Sequence, residues 1–380
     1  MRDAWTLDPA VVYLNHGAFG ACPAVVLDAQ ARWRARLERE PVLFLGRELE
    51  PLLDDARVAL AAFVGAAPED LAFVGNATAG VNAVLRSLRF EPGDEILVTD
   101  HAYNACRNVV DWVAGRTGAR VVTARAPFPL AAAEELAAPV LAAATPRTRI
   151  AMLDHVASQT ALVWPLAELV AALQGRGIDV LVDGAHAPGM IPLDVAALGA
   201  AYYTGNCHKW LCAPKGAGFL VARRDRHDGL VPPVVSHGLN DRRPRSRFHL
   251  LFDWMGTQDP SPVLCVPEAI RAVADMCPGG WPEVRARNHA LALAGRDVVC
   301  AAVGAPVPCP DDLLGSMASI PLPDGDSVAL ERRLFEAHRI EVPVFPWNGA
   351  ARRIVRLSAQ LYNTMDDMRA LAVALREEIR

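Results

Sequence analysis

The chain has 380 residues, 52% hydrophobic and 21% charged, with a formal net charge of −5. That balance describes a globular chain with ample core and excludes the basic footprint of a nucleic-acid or anionic-membrane binder. Eight cysteines lie scattered without a C-x-x-C pair or His/Cys ligand spacing, so the sequence indicates neither a metal site nor a disulfide framework. The amino terminus lacks a charged segment followed by an apolar one, and no apolar run approaches the roughly 18 residues of a membrane span. The expectation is a cytoplasmic protein with no membrane partner.

In chain order, VVYLNHGAFGACP (11–23) reads as a short extended segment and then a glycine-bearing loop. Asn15 and His16 follow its apolar run, either as turn residues capping the next helix or as the lining of a substrate entrance. Residues 24–39 carry apolar side chains at helical spacing, Val25, Leu27, Ala31 and Leu37 among them. Arg47 comes next, available to a substrate carboxylate or to an ion pair with Glu48 or the neighbours of Glu50.

LAFVGNATAGVNAVLRSL (71–88) runs strand, turn, helix, with Gly75, Asn76, Thr78 and Gly80 where the helix begins. Free N–H groups and the helix dipole attract an anion at such a point. Gly75 and Gly80 share the first spacing of a nucleotide-binding loop, but Val81 and Asn82 replace its Lys-Ser/Thr pair. The reading is a phosphate cup rather than an ATP site. EILVTDHAYNA (95–105) is a buried strand ending in Asp100, His101, Tyr103 and Asn104. His101 and Tyr103 both suit stacking on a flat ring, and the sequence does not choose between them. Strands follow at 121–125 and 148–155 around a helix at about 131–144, and the second leads to Ser158, Gln159 and Thr160. A helix over 164–177 is stopped by glycines.

The apolar run 178–182 then ends in Asp183, Gly184, Ala185 and His186, and a second short strand, 201–204, precedes Asn206, His208 and Lys209. Buried parallel strands deliver these groups at their carboxyl ends, where the sites of open α/β sheets form. A lysine becomes useful only when its surroundings lower its pKa or an aldehyde holds it as an imine. An acid and a lysine so placed suit pyridoxal phosphate, with Asp183 keeping the pyridine nitrogen protonated and Lys209 holding the aldehyde. KGAGFLVAR (215–223) is a glycine-kinked strand without the third glycine or following helix of a dinucleotide site. DRRPRSR (241–247) reads as a solvated basic loop, and 251–262 as a loop offering Gly256 and Thr257 as further phosphate donors. The remainder alternates helices and short strands, which suits a smaller α+β domain.

The ordered motifs YLNHGAFG, GNATAGVN, DHAYNA, DHVASQTALVWP, DGAHAPGM, GNCHKWLCAPKGAGFL, DWMGTQD and RLSAQLYN resemble the class V aminotransferase superfamily of fold type I pyridoxal-phosphate enzymes. They are most similar to its isopenicillin N epimerase-like branch. The resemblance implies an α/β fold: a large domain with a doubly wound, mostly parallel seven-stranded sheet, plus a smaller carboxyl-terminal α+β domain. Residues 1–22 would join the small domain to the active-site entrance, 23–262 would bind the cofactor, and 263–380 would form the small domain. By matching position, Lys209 is the Schiff-base lysine and Asp183 the partner of the pyridinium nitrogen. His186 falls near the ring hydroxyl, with Ser158 a second candidate there. Ala77, Thr78, Asn206 and His208 would bind phosphate, while Gly256 and Thr257 match a segment that reaches phosphate across a homodimer interface. Arg356 matches the arginine that clamps the substrate α-carboxylate.

The segment 341–353 lacks the persulfide-forming cysteine of the superfamily's desulfurases, and Cys309 lies too far upstream to replace it. The implied activity acts on a small amino-acid substrate: Lys209 removes the α-proton, and epimerisation or β-elimination follows. Epimerisation needs a second acid, for which His101, Tyr103 or His16 is available. A carbon–sulfur lyase, a transaminase and a non-catalytic cofactor-binding protein are the alternatives.

Overall fold

The computed structural model describes residues 1–347 and 352–379. Its centre is a seven-stranded sheet of β2 (Leu71–Val74), β3 (Glu95–Thr99), β4 (Arg120–Ala124), β5 (Thr148–Asp154), β6 (Asp179–Gly184), β7 (Tyr202–Asn206) and β8 (Gly218–Ala222). The spatial order is β2-β8-β7-β6-β5-β3-β4, and the pairs among β7, β6, β5, β3 and β4 are all parallel. Only β8 runs against its neighbours, β2 and β7.

The strands read as unbroken apolar runs because helices cover both faces. Leu97, Leu153, Val180 and Val182 point into one core, while Ile96, Val98, Met152 and Leu181 point into the other, as the two-residue period of a strand requires. Connections of this class place the strands' carboxyl ends along one edge, so Asp154, Asp183 and Asn206 emerge together. Register adds to this, since Asp154 pairs directly with Asp183 across β5 and β6.

Helix Ala77–Ser87 follows β2 and lies against β7. Its closeness depends on Gly80, where an added Cβ would fall 2.1 Å from Thr204 Oγ1. Helix Ala24–Arg39 takes the expected bounds with a different buried face. Val26, Ala29 and Gln30 point inward, whereas Val25 and Leu27 are exposed. Helices Glu134–Ala143 and Leu166–Gln174 are each shorter than the composition suggests. Proline and glycine flank the second, and residues 131–133 bend before the first begins.

The carboxyl-terminal strands β9 (Met317–Leu322), β11 (Val344–Pro346) and β12 (Arg353–Ser358) form an antiparallel sheet in the order β11-β12-β9. The amino-terminal β1 (Val12–Tyr13) pairs in parallel with β10 (Ile340–Glu341). Ser358 N–H also donates to Leu14 C=O at 2.9 Å. The loop carrying Asn15 and His16 is thereby fixed to the elements that carry Arg356. Among the described residues no helix is long and apolar enough to cross a membrane.

Two sequence expectations fail on the surface. Arg245 is no solvated loop residue: its guanidinium bridges Asp54 at 2.7 Å and Asp253 at 2.7 Å. Arg47 makes no ion pair among the described residues, because Glu48 pairs with Arg36 and Glu50 with Arg243.

Candidate active site

At the end of β6, Asp183 is 4% exposed and its carboxylate is anchored on both oxygens. Oδ1 accepts the Ala185 N–H at 3.0 Å, and Oδ2 accepts the thiol of Cys106 at 3.1 Å. Burial and the Asp183 charge push the Cys106 thiol far above its ordinary pKa, so it stays a donor. Asp154, one strand away, is equally buried. Burial first and the Asp183 carboxylate second raise its pKa well above the usual carboxylate range. The neighbouring Asp183 thus favours the protonated form of Asp154.

β7 ends at Asn206, whose side-chain oxygen accepts the Ala77 N–H at 2.8 Å. Asn76 caps the same helix by accepting from Ala79 N–H at 2.9 Å. The amide of Ala77 is thus already engaged, and the Thr78 amide lies between two satisfied neighbours at the positive end of the helix. The chain then turns through His208 to Lys209. His208 donates Nδ1–H to the Ala217 carbonyl at 2.9 Å, and burial lowers its pKa to about 4.

Lys209 is the altered base of the site. Burial first, then the positive charge of Arg356, lowers its pKa to about 7, against a smaller opposing pull from Asp183. Its Nζ lies 3.1 Å from His186 Nε2. Lys209, Asp183, Asp154, His186, Ser158 and Thr78 all line one cavity of about 520 Å³, together with Gly75, Asn206, His208 and Tyr103. A second cavity, of about 400 Å³, is lined by Leu45, Leu53, Arg243, Glu50 and Asp241. There Arg243 pairs with Glu50 and Asp241.

The structure separates the two ring candidates. Tyr103 is 44% exposed and borders the cavity. His101 is 1% exposed and turned into the core, bonded to Thr160 Oγ1 at 2.9 Å and to the Ala126 carbonyl at 3.1 Å, between Trp164 and Trp347. His16 does not line an entrance. Fully buried, it binds Tyr362 Oη at 2.8 Å and the Lys209 carbonyl at 3.0 Å, and burial holds its pKa at about 3. It braces the backbone that presents the lysine.

Arg356 sits behind Ser158. One terminal nitrogen donates to the Ser158 carbonyl and to its hydroxyl at 3.4 Å, and the other donates to Asn15 Oδ1 at 3.4 Å. Its Nε is buried without a partner, and burial lowers its pKa to about 10. A buried guanidinium with a free donor is suited to an incoming carboxylate. Asn15 is held in turn by Glu341 at 3.1 Å. Gly256, at φ +112°, and the exposed Thr257 lie outside this cavity. Within the 341–353 loop, residues 348–351 lie outside the described residues.

Sequence reasoning missed Asp154, Cys106, Lys215 and Phe19. Lys215 borders the cavity and donates to the Gly20 carbonyl at 2.8 Å, and Phe19 stands 70% exposed at the mouth. Asp154 carried the one available signal, an acid ending an apolar run as Asp183 does.

The donor set fits pyridoxal phosphate: an amine of lowered pKa for an aldehyde, a buried carboxylate for a ring nitrogen, and a capped helix start for a phosphate. Residues 12–246 match the family model described as aminotransferase class-V. The isopenicillin N epimerase of Amycolatopsis lactamdurans is 40% identical over 392 residues, covering 99% of this chain and 97% of that protein. A probable chloroplastic L-cysteine desulfhydrase of Arabidopsis thaliana is 31% identical over 404 residues, covering 98% of this chain and 84% of that one. The solved cysteine desulfurase CsdA of Escherichia coli shares the fold, with a TM-score of 0.83 at 22% identity over 99% of this chain and 97% of that one. The chain belongs to the class-V aminotransferase family and is a pyridoxal-phosphate-dependent enzyme of fold type I.

Proposed function

We propose that the enzyme epimerises an amino acid at its α-carbon, with Lys209 as the group that removes the α-proton. The observation that carries this reading is an amine brought to about 7 by burial in the cavity that also holds Asp183. A base of that pKa is deprotonated in a useful fraction near neutral pH and still binds a proton well. Bound pyridoxal phosphate supplies an aldehyde that captures the substrate's amino group and a ring that accepts the electron pair left by the α-proton.

Asp183, its orientation fixed by Ala185 and Cys106, would hold the ring nitrogen protonated. Thr78, Asn206 and His208, which line the cavity, would hold the phosphate, and His186 with Ser158 would lie by the ring hydroxyl. Arg356, braced by Asn15, takes the substrate carboxylate. Epimerisation returns a proton from the face opposite Lys209, and Tyr103 is the group proposed for it, since burial removes His101 and His16 from reach. The match of this chain to relatives named isopenicillin N epimerase, at 40% and 38% identity, supports this fate.

β-Elimination is the second reading, favoured by the relatives named L-cysteine desulfhydrase. Among the described residues no cysteine borders the cavity, which disfavours a protein-bound persulfide in either case. We also infer a homodimer, in which the outward Gly256 and Thr257 reach the partner's phosphate, and sedimentation of the holoenzyme tests it.

Incubating the cofactor-loaded protein with an amino-acid panel in heavy water tests the reading. Deuterium entering the α-position with inversion and without loss of substrate is the expected result. Release of ketoacid and ammonia assigns elimination instead, and no α-exchange with any amino acid overturns both.

A further inference from the structure

We propose that Trp210 fixes the tautomer of His186, making that histidine a hydrogen-bond donor to Lys209 and excluding it as a competing base. An indole nitrogen only donates. Trp210 Nε1 lies 3.4 Å from His186 Nδ1, and both side chains are buried. Nδ1 is therefore the lone-pair nitrogen, and the proton of a neutral ring resides on Nε2. That nitrogen is 3.1 Å from Lys209 Nζ. An ammonium has no lone pair to receive Nε2–H, so the hydrogen-bond pattern itself selects Lys209 as the free amine.

The surroundings hold the arrangement in place. The Trp210 indole packs on the His16 ring at 4.8 Å between centroids. Ala21 N–H donates to His16 Nδ1 at 3.2 Å, which puts the His16 proton on Nε2, directed at the Lys209 carbonyl 3.0 Å away. The loop carrying His186 is pressed onto the segment carrying Trp210 at Gly189, where φ is +89° and an added Cβ would lie 2.6 Å from the Trp210 carbonyl. Burial lowers the His186 pKa well below its ordinary value, and Lys209, Arg356 and His16 all add to that direction.

The consequence concerns which group handles the α-proton. Protonating His186 would set a second N–H against the indole N–H and break the Trp210 contact. His186 therefore gives a hydrogen bond where a histidine free of Trp210 would accept a proton, and Lys209 is the base it donates to. This consequence rests on the function proposed above, whereas the tautomer itself does not.

The test is nitrogen-15 magnetic resonance of the apo-protein labelled at histidine, with His186 assigned from a His186→Asn sample. The expected spectrum shows His186 Nδ1 unprotonated and Nε2 carrying hydrogen. In Trp210→Phe, which keeps an aromatic ring and loses the donor, both nitrogens should move toward the averaged shifts of two exchanging tautomers. A native His186 protonated on Nδ1, or a Trp210→Phe spectrum unchanged from native, overturns the proposal. Should Trp210→Phe fail to fold by far-ultraviolet circular dichroism, the native spectrum alone decides. Failure of the protein to capture pyridoxal phosphate would sink the proposed function and leave the tautomer result standing.

Discussion

Lys209 differs from a surface lysine because its ammonium form has lost water and faces Arg356, and the free amine is what remains. Lys209→Ala should leave a folded protein that shows no borohydride-trapped cofactor at this position, with turnover down by about 10²–10⁴-fold, the usual worth of a positioned base. Tyr103 separates two roles by substitution. Tyr103→Phe keeps a stacking ring and loses the acid, so wash-in of deuterium should persist while inversion falls. Unchanged inversion would assign Tyr103 to stacking alone. Arg356→Lys keeps the charge and loses the fork, and the expected loss is about 10–100-fold in kcat/KM, mostly through KM, on the scale of one charge-assisted hydrogen bond. The same residues show what a sequence discloses. Asp183, Asn206 and Lys209 were legible because they lie at or just beyond the ends of apolar strands in a sheet whose sites gather at that edge. His101 and His16 also follow apolar runs, yet their partners Thr160, Ala126 and Tyr362 lie 25 to 346 residues away, and no local pattern tells a core-facing histidine from a cavity-facing one.

Between elements, contacts that sequence spacing does not encode decide the packing. Helix Leu49–Val64 carries Arg57, 2% exposed and bonded to Asp54 and, at 2.5 Å, to Asp253, which Arg245 also holds. Removing Asp253 leaves Arg57 and Arg245 to share Asp54 alone, so Asp253→Ala should cost about 1–3 kcal/mol in urea unfolding of the apo-protein. A loss below about 1 kcal/mol would show that water reaches the pair. The basic run 241–247 looked solvated because its acidic partners at Glu50 and Asp54 are about 190 residues distant, across a loop whose path no periodicity reports. Gly80 poses the opposite problem. Alanine there favours the helix by about 1 kcal/mol, but its Cβ would meet Thr204 Oγ1, which is fully buried and donates to the Phe219 carbonyl at 2.8 Å. Overpacking of about 1–3 kcal/mol should prevail. Gly80→Ala should therefore destabilise the native protein and do so less in a Thr204→Ala background. Equal costs in both backgrounds would refute the contact.

At the scale of the whole molecule, buried titratable groups set how stability responds to acid. Burial holds His16 near pKa 3 and His155 and His208 near 4, whereas unfolding returns each to about 6.5. A folded pKa below the unfolded one means that the unfolded chain binds the proton first. Their contribution is therefore intact above about pH 6.5 and drains away as pH falls toward 3–4. Asp154 has the reverse sign: its folded pKa is raised, so it favours the folded state in acid and costs stability as pH rises above the ordinary carboxylate range. From pH 6.5 to 5 these three histidines together remove about 5 kcal/mol and His186 acts in the same direction, while Asp154 opposes them, so the apo-protein should lose stability over that interval. The acid balance has a distinctive consequence. Asp154→Asn removes a group that opposes the histidines, so its stability should fall more steeply between pH 6.5 and 5 than that of the native chain. Urea unfolding at several pH values measures both slopes, and a shallower slope in Asp154→Asn would show that Asp154 is ionised in the native state.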